Sequence, residues 1–100
     1  MILAIDIGNT NTVLGCLEGD ELLFTLRIRS DRHKTADEYC LLLEGLLSRQ
    51  GVDPRALAGG ILSSVVPELR TVMATALEQL TGKVFLVVGA GRKTGLDIRT

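Results

Sequence analysis

The hydrophobic period of the chain first changes between residues 29 and 36, and that change most narrows its possible folds. Before it, Leu22, Phe24, Leu26 and Ile28 alternate with Leu23, Thr25, Arg27 and Arg29, a period-2 pattern with one apolar face. After it, Thr35 and Glu38 have the spacing of a capping box, and Tyr39, Leu42, Leu43, Leu46 and Leu47 recur at helical intervals. Residues 2–6 are apolar without a break up to Asp6, as expected of a strand covered on both faces. Residues 12–18 can pair back against them, and Gly19-Asp20 gives a two-residue turn into the third strand. Gly51 stops the first helix. Residues 59–66 then read as a fourth strand, and Pro67 opens a second helix with the stripe Leu69, Val72, Met73, Ala76, Leu77 and Leu80. Gly82 ends it, and residues 83–88 form the last strand.

The resulting order is βββαβαβ. Three meandering strands followed by alternating helices predict an α/β fold whose mixed sheet has its fourth and fifth strands parallel. This is the order of the ribonuclease-H-like half of the actin and sugar-kinase fold. An order alone does not define a function.

Composition removes several classes of partner. With one Tyr, two Phe and no Trp among 100 residues, the core must rest on Leu, Val, Ile and Ala. A formal net charge of −1 argues against broad nucleic-acid binding. The apolar runs at 1–5 and 84–88 are far too short to cross a bilayer, and no basic segment precedes the first, so neither a membrane span nor a signal peptide is expected. Cys16 and Cys40 lack metal-type spacing and read as buried, reduced thiols of a cytoplasmic protein.

The segment between the first two strands is unusually rich in small polar groups: Asp6, Ile7, Gly8, Asn9, Thr10, Asn11, Thr12, Val13. One reading is a hairpin turn in which Gly supplies positive φ and the Asn and Thr side chains bond their own backbone. The other is a phosphate cradle. Gly8 would let the backbone approach an anion, while the amides of Asn9 and Asn11 and the hydroxyls of Thr10 and Thr12 donate to it. No Lys or Arg lies in the segment, and Asp6 would repel a polyphosphate. The cradle therefore requires Mg²⁺ held by Asp6, directly or through water.

Other candidates are weaker. The stretch GAGRKTG (89–95) has Arg92 where a P-loop needs the glycine before Lys-Thr, and it lacks dinucleotide glycine spacing. His33 sits between Arg32 and Lys34 and reads as part of a solvated connection, Asp31 to Lys34, although that group could touch a phosphate or a partner subunit. Ser63 and Ser64 end a parallel strand, where α/β ligand sites often lie, yet no His–acid arrangement makes either a nucleophile.

Taken together, DIGNTNT at 6–12, DRHKTADEY at 31–39, SSVVP at 63–67 and GAGRKTGLDIR at 89–99 resemble type III pantothenate kinase, over the whole length of the chain. The resemblance implies the acetate and sugar kinase, Hsp70 and actin superfamily, and ATP-dependent phosphorylation of pantothenate to 4'-phosphopantothenate, the first step of coenzyme A synthesis. It implies that Asp6 to Val13 form the ATP-phosphate loop. Gly91 to Gly95 match a loop leading into the pantothenate site, with Lys93, Thr94 and Gly95 as substrate-loop candidates. Also implied are ATP with Mg²⁺, a monovalent cation (K⁺ or NH₄⁺), and a homodimer.

Members of that family are longer, and their general base lies in a Gly-Ala-Asp-Arg motif that is expected beyond Thr100. Residues 1–100 would then be the N-terminal ribonuclease-H-like domain without its second domain, and inactive alone. Two other classes compete: a nucleotide-binding regulatory or accessory protein of the same fold without kinase activity, and a structural module whose first loop is only a turn.

Overall fold

The structure, a computed structural model, describes residues 1–89. Its elements are β1 (Ile2–Ile7), β2 (Asn11–Glu18), β3 (Glu21–Arg29), α1 (Ala36–Arg49), a short 3₁₀ turn at Pro54–Ala56, β4 (Gly59–Ser64), α2 (Pro67–Thr81) and β5 (Leu86–Val88). The five strands form one sheet in the order β3-β2-β1-β4-β5. Pairs β1/β2 and β2/β3 are antiparallel, and β1/β4 and β4/β5 are parallel. The mixed sheet expected from the order of elements is therefore present, with β1 at its centre.

Strand alternation assigns the two faces. Leu3, Ile5 and Ile7 of β1 join Leu14 and Cys16 of β2 in the main core, against Tyr39, Leu43 and Leu47 of α1 and Leu69, Met73, Ala76 and Leu77 of α2. The odd residues of β1 thus face the helices. The even ones, Ile2, Ala4 and Asp6, face away, where Ala4 and Leu17 are buried with Ile2 and Val13 packed against them. Of the two free cysteines, Cys16 is buried, whereas Cys40 is only half-buried at the edge of the α1 stripe.

Helix ends follow the chemistry of their residues. Thr35 Oγ1 accepts from the Glu38 N–H at 3.2 Å, and Glu38 Oε1 accepts from the Thr35 N–H at 2.8 Å. At the other end of α1, the Gly51 N–H reaches Ser48 O and the Val52 N–H reaches Leu47 O, both at 3.0 Å, closing a Schellman motif on Gly51. Pro67 is the first residue of α2, and Gly82 follows its end in the left-handed region. Two strands are shorter than expected. The Ser64 hydroxyl donates to Val66 O and accepts from the Val66 N–H, ending β4 two residues early. Lys83 is held instead by the Thr81 hydroxyl and by a 2.7 Å bond from its Nζ to Arg55 O, so β5 begins only at Leu86.

Thr35→Ala is expected to cost about 1 kcal/mol, read as a lower urea midpoint. The Thr35 backbone bond, then its side chain, hold the exposed Glu38 carboxyl below the usual range. A carboxyl depressed by folding stabilises above its unfolded value, ~4.3, and that support fades as pH falls through the lower folded value. The difference between wild type and Glu38→Gln should therefore narrow only on the acid side.

Candidate functional site

The carboxyl end of β1 lies between its two neighbours' loops, so three connections meet at one sheet edge. These are the β1–β2 turn, the β3–α1 loop and the β4–α2 junction. Backbone bonds tie them together: Ser30 N–H to Thr10 O at 2.8 Å, and Val65 N–H to Ile7 O at 3.0 Å. An edge where strand ends and helix starts converge is where ligands bind in α/β sheets.

The turn is closed by the Gly8 N–H donating to Asn11 O at 2.9 Å. Glycine is needed at position 8 for a reason that its residue type alone does not disclose. Its φ is not positive; instead, a Cβ there would stand 2.9 Å from Asn11 O. The hairpin reading was right about the turn and wrong about the left-handed glycine. Because the Gly8 amide is spent on the turn, the backbone donors left at its crest are the amides of exposed Asn9 and Thr10. Neither has a hydrogen-bond partner among the described residues.

Asp6 stands at the foot of this turn on the face away from the helices, half-buried, paired in register with Ser63 of β4. The Ser63 hydroxyl donates to Asp6 Oδ1 at 3.1 Å, which fixes the carboxylate and leaves Oδ2 unengaged among the described residues. Val13 lies beside Asp6 across the β1–β2 pair, and Ile7 is buried on the helix face. Asn11 is exposed at the start of β2.

Thr12 is placed differently from the cradle reading. It pairs with Ile7 on the helix face, is fully buried, and shares a 2.8 Å hydrogen bond between its Oγ1 and Ser30 Oγ. Its hydroxyl joins β2 to the β3–α1 loop. The substrate-loop candidates Lys93, Thr94 and Gly95 lie outside the described residues.

A cation that sequence spacing did not reveal completes the edge. Arg32 Nη2 donates to Asn9 Oδ1 at 3.1 Å, although the two residues are 23 positions apart. The loop that carries Arg32 is clamped by Tyr39, whose hydroxyl donates to Asp31 O at 3.0 Å and accepts from the Asp31 N–H at 2.8 Å. Burial raises the Tyr39 pKa, with the Asp31 backbone bond acting in the opposite direction. His33, exposed, gives its backbone N–H to Asp31 Oδ1 at 2.9 Å.

Among the described residues no group of three or more His, Cys, Asp or Glu could hold a metal ion. The donor set nonetheless fits Mg²⁺, which is usually held by one or two carboxylates, with waters and phosphate oxygens completing an octahedron. Asp6, oriented by Ser63, supplies one such carboxylate.

The fold is one that solved sugar kinases share. A ROK hexokinase from Thermus thermophilus superposes with a TM-score of 0.65 at 16% identity, over 88% of this chain and 34% of the hexokinase. The family model for type III pantothenate kinase matches residues 2–100, and the chain belongs to that family. It is 50% identical to the type III pantothenate kinase of Moorella thermoacetica over 99% of this chain and 39% of the relative. The Geobacillus thermodenitrificans enzyme is 47% identical over 99% of this chain and 38% of the relative. The chain therefore spans about two fifths of the length of these curated relatives.

Proposed function

We propose that this protein transfers the terminal phosphoryl group of ATP to the primary alcohol of pantothenate, giving 4'-phosphopantothenate at the entry to coenzyme A synthesis. Family membership supports the substrates. What supports the site is the Ser63 hydroxyl's bond to Asp6, two residues before a turn whose Asn9 and Thr10 amides have no partner among the described residues. Residues 1–100 act in this proposal as the phosphate-holding half of a two-domain kinase. The monovalent cation and the homodimer rest on the family resemblance.

Phosphoryl transfer needs little covalent chemistry from the protein, so positioning and charge compensation dominate. The amides of Asn9 and Thr10 donate to phosphate oxygens, and Gly8, lacking a Cβ, keeps the turn tight enough to present them. Asp6 would hold Mg²⁺, directly or through a water. When bound, that ion neutralises charge on the phosphates. Ser63 keeps the carboxylate from rotating away. Val13 and Ile7 pack the foot of the turn. The carboxylate that accepts the alcohol proton lies, on the family resemblance, beyond Thr100.

The test is turnover by the intact protein with ATP and pantothenate, following ADP and 4'-phosphopantothenate together. Equal amounts of both products, formed only with Mg²⁺, support the proposal. Nucleotide binding without pantothenate-dependent ADP release would make the protein a regulatory relative instead.

A further inference from the structure

Beside the turn lies a shallow cleft of about 360 Å³ lined by Asn9, Arg29, Ser30, Asp31, Arg32 and His33. We propose that this cleft is an anion subsite that takes a phosphoryl group, with Arg29 and Arg32 as its cations. The proposal deepens the phosphate-loop reading, and rests on it, because the cleft opens on Asn9.

The lining is chemically one-sided. Two arginines face one carboxylate, and that carboxylate is already engaged: Asp31 Oδ1 accepts the His33 N–H. Arg presents a planar fork of donors suited to phosphate oxygens, and one bond to Asn9 uses only part of the Arg32 fork. The floor is rigid for a surface loop. Tyr39 clamps the Asp31 backbone from below, Ser30 is bonded to Thr12, and the Ser30 N–H is bonded to Thr10 O. Such pre-organisation reduces the ordering cost of binding a small anion. Arg29 pairs in register with Asn11 and Arg32 reaches Asn9, so both cations flank the turn whose own residues carry none.

The site also answers a charge problem. A polyphosphate on the turn would meet Asp6, and a divalent ion there compensates charge on one side only. The arginines supply fixed positive charge on the other. The phosphoryl group has two possible sources: the terminal phosphate of a bound nucleotide, or a free phosphate-bearing small molecule.

The experiment measures binding of ATP, ADP and inorganic phosphate, each with and without Mg²⁺, to the intact protein and to Arg29→Gln, Arg32→Gln and Arg32→Lys. Glutamine keeps a donor for Asn9 but removes the charge, and lysine keeps the charge. A subsite predicts that each Gln variant weakens phosphoryl binding roughly tenfold to a hundredfold, the loss expected of a charged hydrogen bond. Arg32→Lys, which keeps the charge but not the fork, should fall between wild type and Arg32→Gln, and binding should weaken with added salt. Losses for ATP but not ADP would assign the subsite to the terminal phosphate. Losses for inorganic phosphate would assign it to a free anion.

Wild-type affinity for all three ligands in both Gln variants would overturn the proposal. So would a loss in Arg32→Lys equal to that in Arg32→Gln, since the positive charge at position 32 would then contribute nothing. Failure of the parent reading looks different: wild type would show no Mg²⁺-dependent nucleotide binding. The inorganic phosphate arm would still decide whether the cleft holds an anion.

Discussion

Asp6→Asn is expected to lower kcat/KM for ATP-dependent phosphorylation by at least about a hundredfold while leaving the urea midpoint close to that of wild type. The two halves of that expectation have separate causes. The amide oxygen of the replacement can still accept the Ser63 hydroxyl that now reaches Asp6 Oδ1 at 3.1 Å, so the β1/β4 contact survives. The side chain is half-buried and outside the main core, which keeps the structural cost small. What disappears is the negative charge that holds Mg²⁺ near the phosphates. Nucleotide affinity should fall with Mg²⁺ present and change little without it. A variant with near-normal turnover and the same Mg²⁺ requirement would remove Asp6 from the site.

Gly60→Ala is expected to cost roughly 3 kcal/mol or more, enough to impair folding. A Cβ at position 60 would fall on the carbonyl oxygen of Leu3, its register partner, and 2.6 Å from Phe85 Cε2. Neither neighbour can yield cheaply. Leu3 belongs to the central strand, fully buried, and Phe85 is packed in the core. The strands would have to separate, carrying Ser63 away from Asp6, so any folded remainder should also bind nucleotide poorly. Gly45→Ala is the control. Gly45 lies on the exposed side of α1 with nothing within 4 Å of its added Cβ, and alanine there should stabilise by about 0.5–1 kcal/mol. Equal effects at the two positions would contradict the packing account.

Most of the fold was legible in local pattern because local pattern decides it. The Thr35/Glu38 box, the Gly51 stop and the Pro67 start each act within a few residues, and all three stand where spacing put them. The ends of β4 and β5 were overestimated because apolar β-formers continue past the point where pairing stops. At Ser64 a side-chain hydroxyl captured the backbone, and at Lys83 the chain was still returning from α2.

The candidate site was legible in its one contiguous stretch and in Ser63, at the end of a parallel strand. Asp6 and the Gly8–Asn11 turn form one stretch, and both lie at the sheet edge. Thr12 was misjudged as a free donor, yet strand parity could have corrected it: it alternates with Leu14 and Cys16, both buried on the helix face. Arg32 was legible only as a member of the Asp31 to Lys34 group, not as a neighbour of Asn9. Its approach to Asn9 depends on the length of β3, on the β2/β3 register and on the Tyr39 clamp, none of which leaves a mark near residue 9.

The central claim is that the β1–β2 turn holds the phosphates of a Mg²⁺-nucleotide. The most direct test is an NMR titration of the ¹⁵N-labelled intact protein with a non-hydrolysable ATP analogue, with and without Mg²⁺. The account predicts that the Asn9 and Thr10 amides shift most strongly and only when Mg²⁺ is present, with the Asp6→Asn variant showing neither shift. Saturable binding that leaves residues 6–12 unmoved would contradict it.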